Sequence, residues 1–86
     1  MKSKDKEQKE IDLYVGKRLI MLREQHQLTQ KRLGEILGVK LAEVSHYERG
    51  RRSLGIHQIV RLRDHLGIDP NDLLPPRAKP RIKKEE

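Results

Sequence analysis

Residues 28–50 read LTQKRLGEILGVKLAEVSHYERG, and their spacing decides the fold. Thr29 stands ahead of Gln30, Lys31 and Arg32 as a helix N-cap, its hydroxyl able to accept a bond from an amide that the first turn leaves without a partner. Leu33, Ile36 and Leu37 follow at helical spacing, and Gly38 ends the run by offering the left-handed conformation that closes many helices. After Val39 a second pattern opens, with Leu41, Val44 and Tyr47, and Gly50 closes it. Two short helices joined through so tight a turn cross at a sharp angle. Such a crossing needs a small residue where the backbones approach, a glycine in the turn and apolar residues toward the core. Gly34 meets the first need and Gly38 the second. Leu33, Leu37, Val39, Val44 and Tyr47 meet the third.

Outward from this centre, Ile11, Val15, Leu19 and Leu22 recur at spacings that place them on one face of a helix running to about His26. On the other side Arg51, Arg52, Ser53, Leu54 and Gly55 form a basic loop. Ile56, Ile59, Val60, Leu62 and Leu66 then trace a fourth helix that Gly67 ends. Asp69, Pro70, Asn71 and Asp72 combine a capping carboxylate, a proline at the first helical position and a first-turn acid, so a short fifth helix holding Leu73 and Leu74 is expected before Pro75 and Pro76. The expected organisation is a flexible N-terminal arm or frayed helix start over residues 1–10, one all-α five-helix domain over 11–74, and a basic disordered tail over 75–86.

Composition sets the limits. In 86 residues there is material for one core, and with aromatics at 2%, it must be built from Leu, Ile and Val. The net charge of +7, from 20 Lys and Arg against 13 Asp and Glu, suits a polyanionic partner. Residues 77–86 are disproportionately basic, with five cations against two acids. The absence of cysteine rules out disulfides and thiolate metal sites. No apolar run approaches the roughly 18 residues of a spanning helix, and the charged opening lacks a secretory signal's apolar stretch, so a cytoplasmic protein with no membrane partner is expected. The four histidines, His26, His46, His57 and His65, show no metal-ligand spacing, and there is no nucleophile motif or phosphate-cradling loop. Neither an enzyme nor a cofactor is expected.

Residues 30–47 have the layout of a helix-turn-helix, whose second helix enters the major groove of DNA while the first braces it. The same residues carry a resemblance. Thr29-Gln30, Leu37-Gly38-Val39, Val44-Ser45, Tyr47-Glu48-Arg49-Gly50 and the later Leu66-Gly67-Ile68, in this order, resemble the lambda-repressor-like or Cro/XRE-type transcriptional regulators over about Val15 to Leu74. The resemblance implies a five-helix bundle that commonly binds palindromic operators as a homodimer. The sequence departs from the family pattern at Gly34, where alanine is usual, and at Lys40, where a Ser or Thr cap is usual. A lysine there opposes the positive end of the helix dipole.

Val44 and Tyr47 fit the core, leaving Lys40, Leu41, Ala42, Glu43, Ser45 and His46 on or near the outward face. By the resemblance, the positions of Leu41, Ala42 and His46 approach base edges, and Gln30 touches a phosphate and reaches a terminal base. Leu41 and Ala42 suit thymine methyls, His46 suits a purine, and Glu43 suits a cytosine amine. Arg49, Arg51 and Arg52, with Lys31 and Arg32, are the phosphate-contacting candidates, which Lys17 and Arg18 could join. Thr29, Gly34, Gly38, Val44, Tyr47, Glu48 and Gly50 are read as structural, the resemblance implying that Glu48 bonds backbone or a neighbouring Arg and holds the loop. His46 reads equally well as an ordinary surface histidine, and the tail cations Arg77, Lys79, Arg81, Lys83 and Lys84 as a solubilising end or a DNA arm. Ile68, Leu73 and Leu74 are the dimer-interface candidates, with Leu54 and Ile56 as a second patch. The alternative function is an antitoxin-type or adaptor module that uses the same scaffold to bind a protein.

Overall fold

The computed structural model describes residues 5–76, so the expectations for residues 1–4 and for the tail cations from Arg77 onward lie outside it. Four α-helices, α1 (Lys6–Gln25), α2 (Gln30–Leu37), α3 (Leu41–Glu48) and α4 (Ile56–Leu66), are followed by one 3-10 turn over Pro70–Leu73. The all-helical class is as expected, with four helices in place of five. The expected fifth helix is only this turn because Asp69 starts it, its carboxylate accepting from the Asn71 amide at 2.9 Å, and Pro75 follows too soon for a second turn.

α1 starts at Lys6, ahead of the expected Ile11, because the Asp5 carboxylate caps it by accepting from the Gln8 amide at 2.8 Å. Its buried face is Asp12, Gly16, Leu19 and Leu22, whereas Ile11 is 38% exposed. The expected stripe is therefore turned at its N-terminal half. Ser53 donates its hydroxyl to the Asp12 carboxylate at 2.7 Å, and Gly16 lies against the backbone of α3, so these two residues take the inward positions.

Leu19, Leu33, Leu37, Val44, Leu62 and Leu73 are fully buried and form one core, with Tyr47 and Ile68 at its margin. This corrects the expected dimer contacts. Ile68 and Leu73 are buried inside the single chain, because the 3-10 turn folds back onto α1 and α4, and only Leu74 of the three is exposed. Two arginines fasten the outer elements through backbone carbonyls. Arg18 Nε donates to Asp72 O at 2.7 Å, and Arg61 Nε donates to Ile36 O in the last turn of α2 at 2.8 Å. Arg18 is thereby engaged on the side of α1 that faces the 3-10 turn.

The first three helices end in the same way. In each, a left-handed residue donates its amide three residues back and the next residue donates five back: Gln27 to Glu24 with Leu28 to Arg23, Gly38 to Glu35 with Val39 to Gly34, and Gly50 to Tyr47 with Arg51 to His46. Glycine occupies this position after α2 and α3, but Gln27 holds φ 57° with a β-carbon in place. Gln27→Gly is accordingly expected to raise stability by about 0.5–1 kcal/mol. An unchanged or lower urea midpoint would show that the Gln27 side chain makes a compensating contribution.

Candidate nucleic-acid interface

α3 is a short helix with eight residues, too short to be stable alone, so its position depends on what lies behind it. Val44 is fully buried and Tyr47 nearly so. Burial, with the nearby Glu43 carboxylate, holds the Tyr47 phenol above its ordinary pKa. Gly16 allows the close approach of α1: a β-carbon there would lie 2.6 Å from the carbonyl oxygens of both Tyr47 and Glu48. Gly34 has a similar role in the turn, since a β-carbon would lie 2.9 Å from Val39 O and 3.3 Å from Val44 Cγ2.

At the C-terminal end of α3 the buried Glu48 carboxylate gathers three donors. Arg23 Nε reaches it at 2.6 Å, Arg23 Nη2 at 3.4 Å and Gln30 Nε2 at 2.8 Å. Arg23 also donates to Leu28 O at 3.0 Å, so one guanidinium joins α1, the loop before α2, and α3. Thr29 caps α2 as expected, accepting from the Arg32 amide at 3.0 Å. Gln30, expected at DNA, is half-buried with its amide nitrogen committed to Glu48, so it presents to the surface from a fixed position.

The outward side of α3 has two zones. Lys40, Leu41 and Ala42 at its start are exposed, Leu41 by 53%, while Glu43, Ser45 and His46 are half-buried. Glu43 is drawn aside by Arg52, whose Nε lies 3.6 Å from its carboxylate. Lys40 occupies the N-cap position and makes no side-chain cap bond. Lys40→Ser should therefore stabilise the free protein by about 0.5–1 kcal/mol. A thermal midpoint that falls instead would mean that the lysine has a structural partner.

Lys31, Arg32, Arg49, Arg51 and Arg52 are exposed around this helix, with Arg32 paired to Glu35 at 3.0 Å in an open surface contact. Among the described residues no cluster of His, Asp or Glu has metal-binding geometry, and no helix is long and apolar enough to cross a membrane.

Compared with known proteins, residues 19–73 match the family model described as Helix-turn-helix. The chain belongs to the lambda-repressor-like, Cro/XRE-type helix-turn-helix family. It is 33% identical over 61 residues to y4aM of Sinorhizobium fredii, described as an uncharacterized HTH-type transcriptional regulator. That match covers 71% of this chain and 43% of the relative, so the chain spans less than half the relative's length. Among solved structures it is similar to the restriction-modification controller protein C.AhdI from Aeromonas hydrophila. The TM-score is 0.67 and the identity 32%, covering 73% of this chain and 96% of that one. It is also similar to the DNA-binding domain of BldD, with TM-score 0.66 and identity 29%, covering 78% of this chain and 97% of that one.

Within this helix-turn-helix, α2 and α3 are the paired helices and Gly38 their turn. Three residues that build it were not singled out from the sequence. Gly16 carried a usable signal, because a glycine in the interior of a helical stretch costs about 1 kcal/mol and so points to a close approach. Arg23 carried none, being one cation among many along α1. Asp12 looked like any solvated acid.

Proposed function

We propose that the chain binds double-stranded DNA sequence-specifically by laying α3 in the major groove, and acts as a transcriptional regulator, most simply a cytoplasmic repressor at a palindromic operator. The observation that carries this reading is the division of α3. Val44, Tyr47 and Glu48 are locked into α1 and α2, while Lys40, Leu41 and Ala42 stand exposed among Lys31, Arg32, Arg49, Arg51 and Arg52. Base contacts are assigned to Lys40, Leu41, Ala42, Glu43, Ser45, His46 and Gln30, and phosphate contacts to the five flanking cations.

One short helix reads too few base pairs for specificity, so a homodimer on two half-sites is part of the proposal. Its surface is assigned to Leu74, with Leu54 and Ile56 as the second patch. Ile56 is 76% exposed and Leu74 48%, and Ile11 borders the same groove as Leu54 and Leu74. The alternative, a module for a protein partner, draws on the exposed Leu41 and the lack of amide side chains beside it.

Fluorescence anisotropy of labelled genomic fragments at several salt concentrations tests both readings. Submicromolar binding that falls steeply with salt, weakens on every fragment for Arg49→Ala and loses discrimination for His46→Ala supports the DNA reading. Feeble binding that neither substitution alters favours a protein partner.

A further inference from the structure

The exposed start of α3 has a chemical character that the DNA-binding reading does not by itself require. Leu41 and Ala42 are adjacent on the helix and both exposed, and one turn later Ser45 and His46 lie beside them and are half-buried. The only carboxylate in that turn, Glu43, is held toward Arg52. The exposed side chains at the first turn, apart from that of Lys40, are therefore an isobutyl group and a methyl group. Single exposed leucines are ordinary on protein surfaces. This one stands beside Lys40 at the head of a helix ringed by cations, in a position that suits a polyanion rather than an apolar protein patch.

The major groove of duplex DNA displays one kind of apolar group, the methyl on C5 of a pyrimidine. Resting on the DNA-binding reading, we propose that Leu41 and Ala42 read C5-methyl groups, and that Leu41 is the main specificity-determining residue of the first turn. The methyl has two sources, thymine and 5-methylcytosine. Both present the same surface, and Leu41 covers it while the cations around α3 hold the phosphates.

The test uses the full 86-residue chain and the tightest fragment from the anisotropy series. Each thymine is replaced singly by deoxyuridine, which removes the methyl and keeps every hydrogen-bonding group. Each cytosine is replaced in parallel by 5-methylcytosine. At one or two positions uracil should weaken binding about fourfold, the effect expected for one buried methyl group. Leu41→Ala, which should melt like the wild type because the side chain is exposed, should bind the thymine and uracil duplexes alike at the position where the wild type shows its larger effect, any smaller effect being left to Ala42. If only 5-methylcytosine changes binding, strengthening it at a defined position in a Leu41-dependent way, the proposal holds with that base as the source. If fragments are still discriminated but no methyl matters, or Leu41→Ala weakens the thymine and uracil duplexes equally, methyl reading is overturned and DNA binding stands. Equal affinity for every fragment would overturn the sequence-specific reading along with it.

Discussion

Gly16→Val is expected to remove most of the stability of the domain, with a loss of more than about 3 kcal/mol where small single domains hold only about 5–15 in total. Even the first carbon of a side chain at this position would lie 2.6 Å from two carbonyl oxygens of α3. Those oxygens are backbone atoms at the end of a helix whose other side is fixed by the core, so relief requires α1 and α3 to separate. Separation in turn opens contacts around Leu19 and Val44, both buried. The gain in intrinsic helix preference on replacing glycine is well under 1 kcal/mol for valine and does not compete. Urea denaturation followed by circular dichroism measures the loss, with Lys17→Val at the exposed neighbouring position as the control. Equal midpoints for the two variants would show that the approach of α1 to α3 is not what holds α3 in place.

The second large effect is expected at Glu48. Glu48→Ala leaves the Arg23 guanidinium, whose side chain is 17% exposed, with only the Leu28 carbonyl from its former set, and frees the Gln30 amide. Removing one member of a buried ion pair typically costs about 3–5 kcal/mol, because the cost is that of the stranded charge. The lower end applies here, since Arg23 retains some access to water. Replacing both partners, as Arg23→Met with Glu48→Leu, should recover at least half of the loss, because no stranded charge remains. Thermal denaturation of Arg23→Met, Glu48→Leu and the double variant, beside Glu48→Ala, completes the cycle. Single variants as stable as the wild type would show that the network does not contribute to stability. The freed Gln30 adds a second readout: the double variant, though refolded, should discriminate less well between DNA fragments than the wild type.

The centre of this fold was legible in the sequence because its punctuation is local. Thr29, Gly38, Gly50 and Gly67 each act within one turn of themselves: α2 begins after Thr29 and ends at Gly38, and α3 and α4 end just before Gly50 and Gly67. What the sequence concealed depends on contacts between distant residues. Asp12 is inward because Ser53 meets it from 41 positions away, and Ile11 is correspondingly outward. α1 ends at Gln25, close to the expected His26, but the left-handed residue that follows it is Gln27 rather than a glycine, and the bonds from Gln27 and Leu28 back to the helix were not marked in the sequence. Ile68 and Leu73 gave no period from which burial could be read, and the 3-10 turn that buries them is secured to α1 by Arg18. In the candidate interface, the outward placement of Leu41 and Ala42 followed from helical geometry alone. The commitment of Gln30 to Glu48 depends on tertiary packing and had no local sign.

The residues that seat α3 and those that project from it are almost disjoint sets. Val44, Tyr47 and Glu48 face the bundle, and Leu41 and Ala42 face away. Under the proposed function, a lineage can rewrite the address this domain responds to through two or three codons without risking the scaffold that carries it. Paralogues with new targets should diverge first at positions 41, 42 and 46, while Gly16, Arg23 and Glu48 stay fixed.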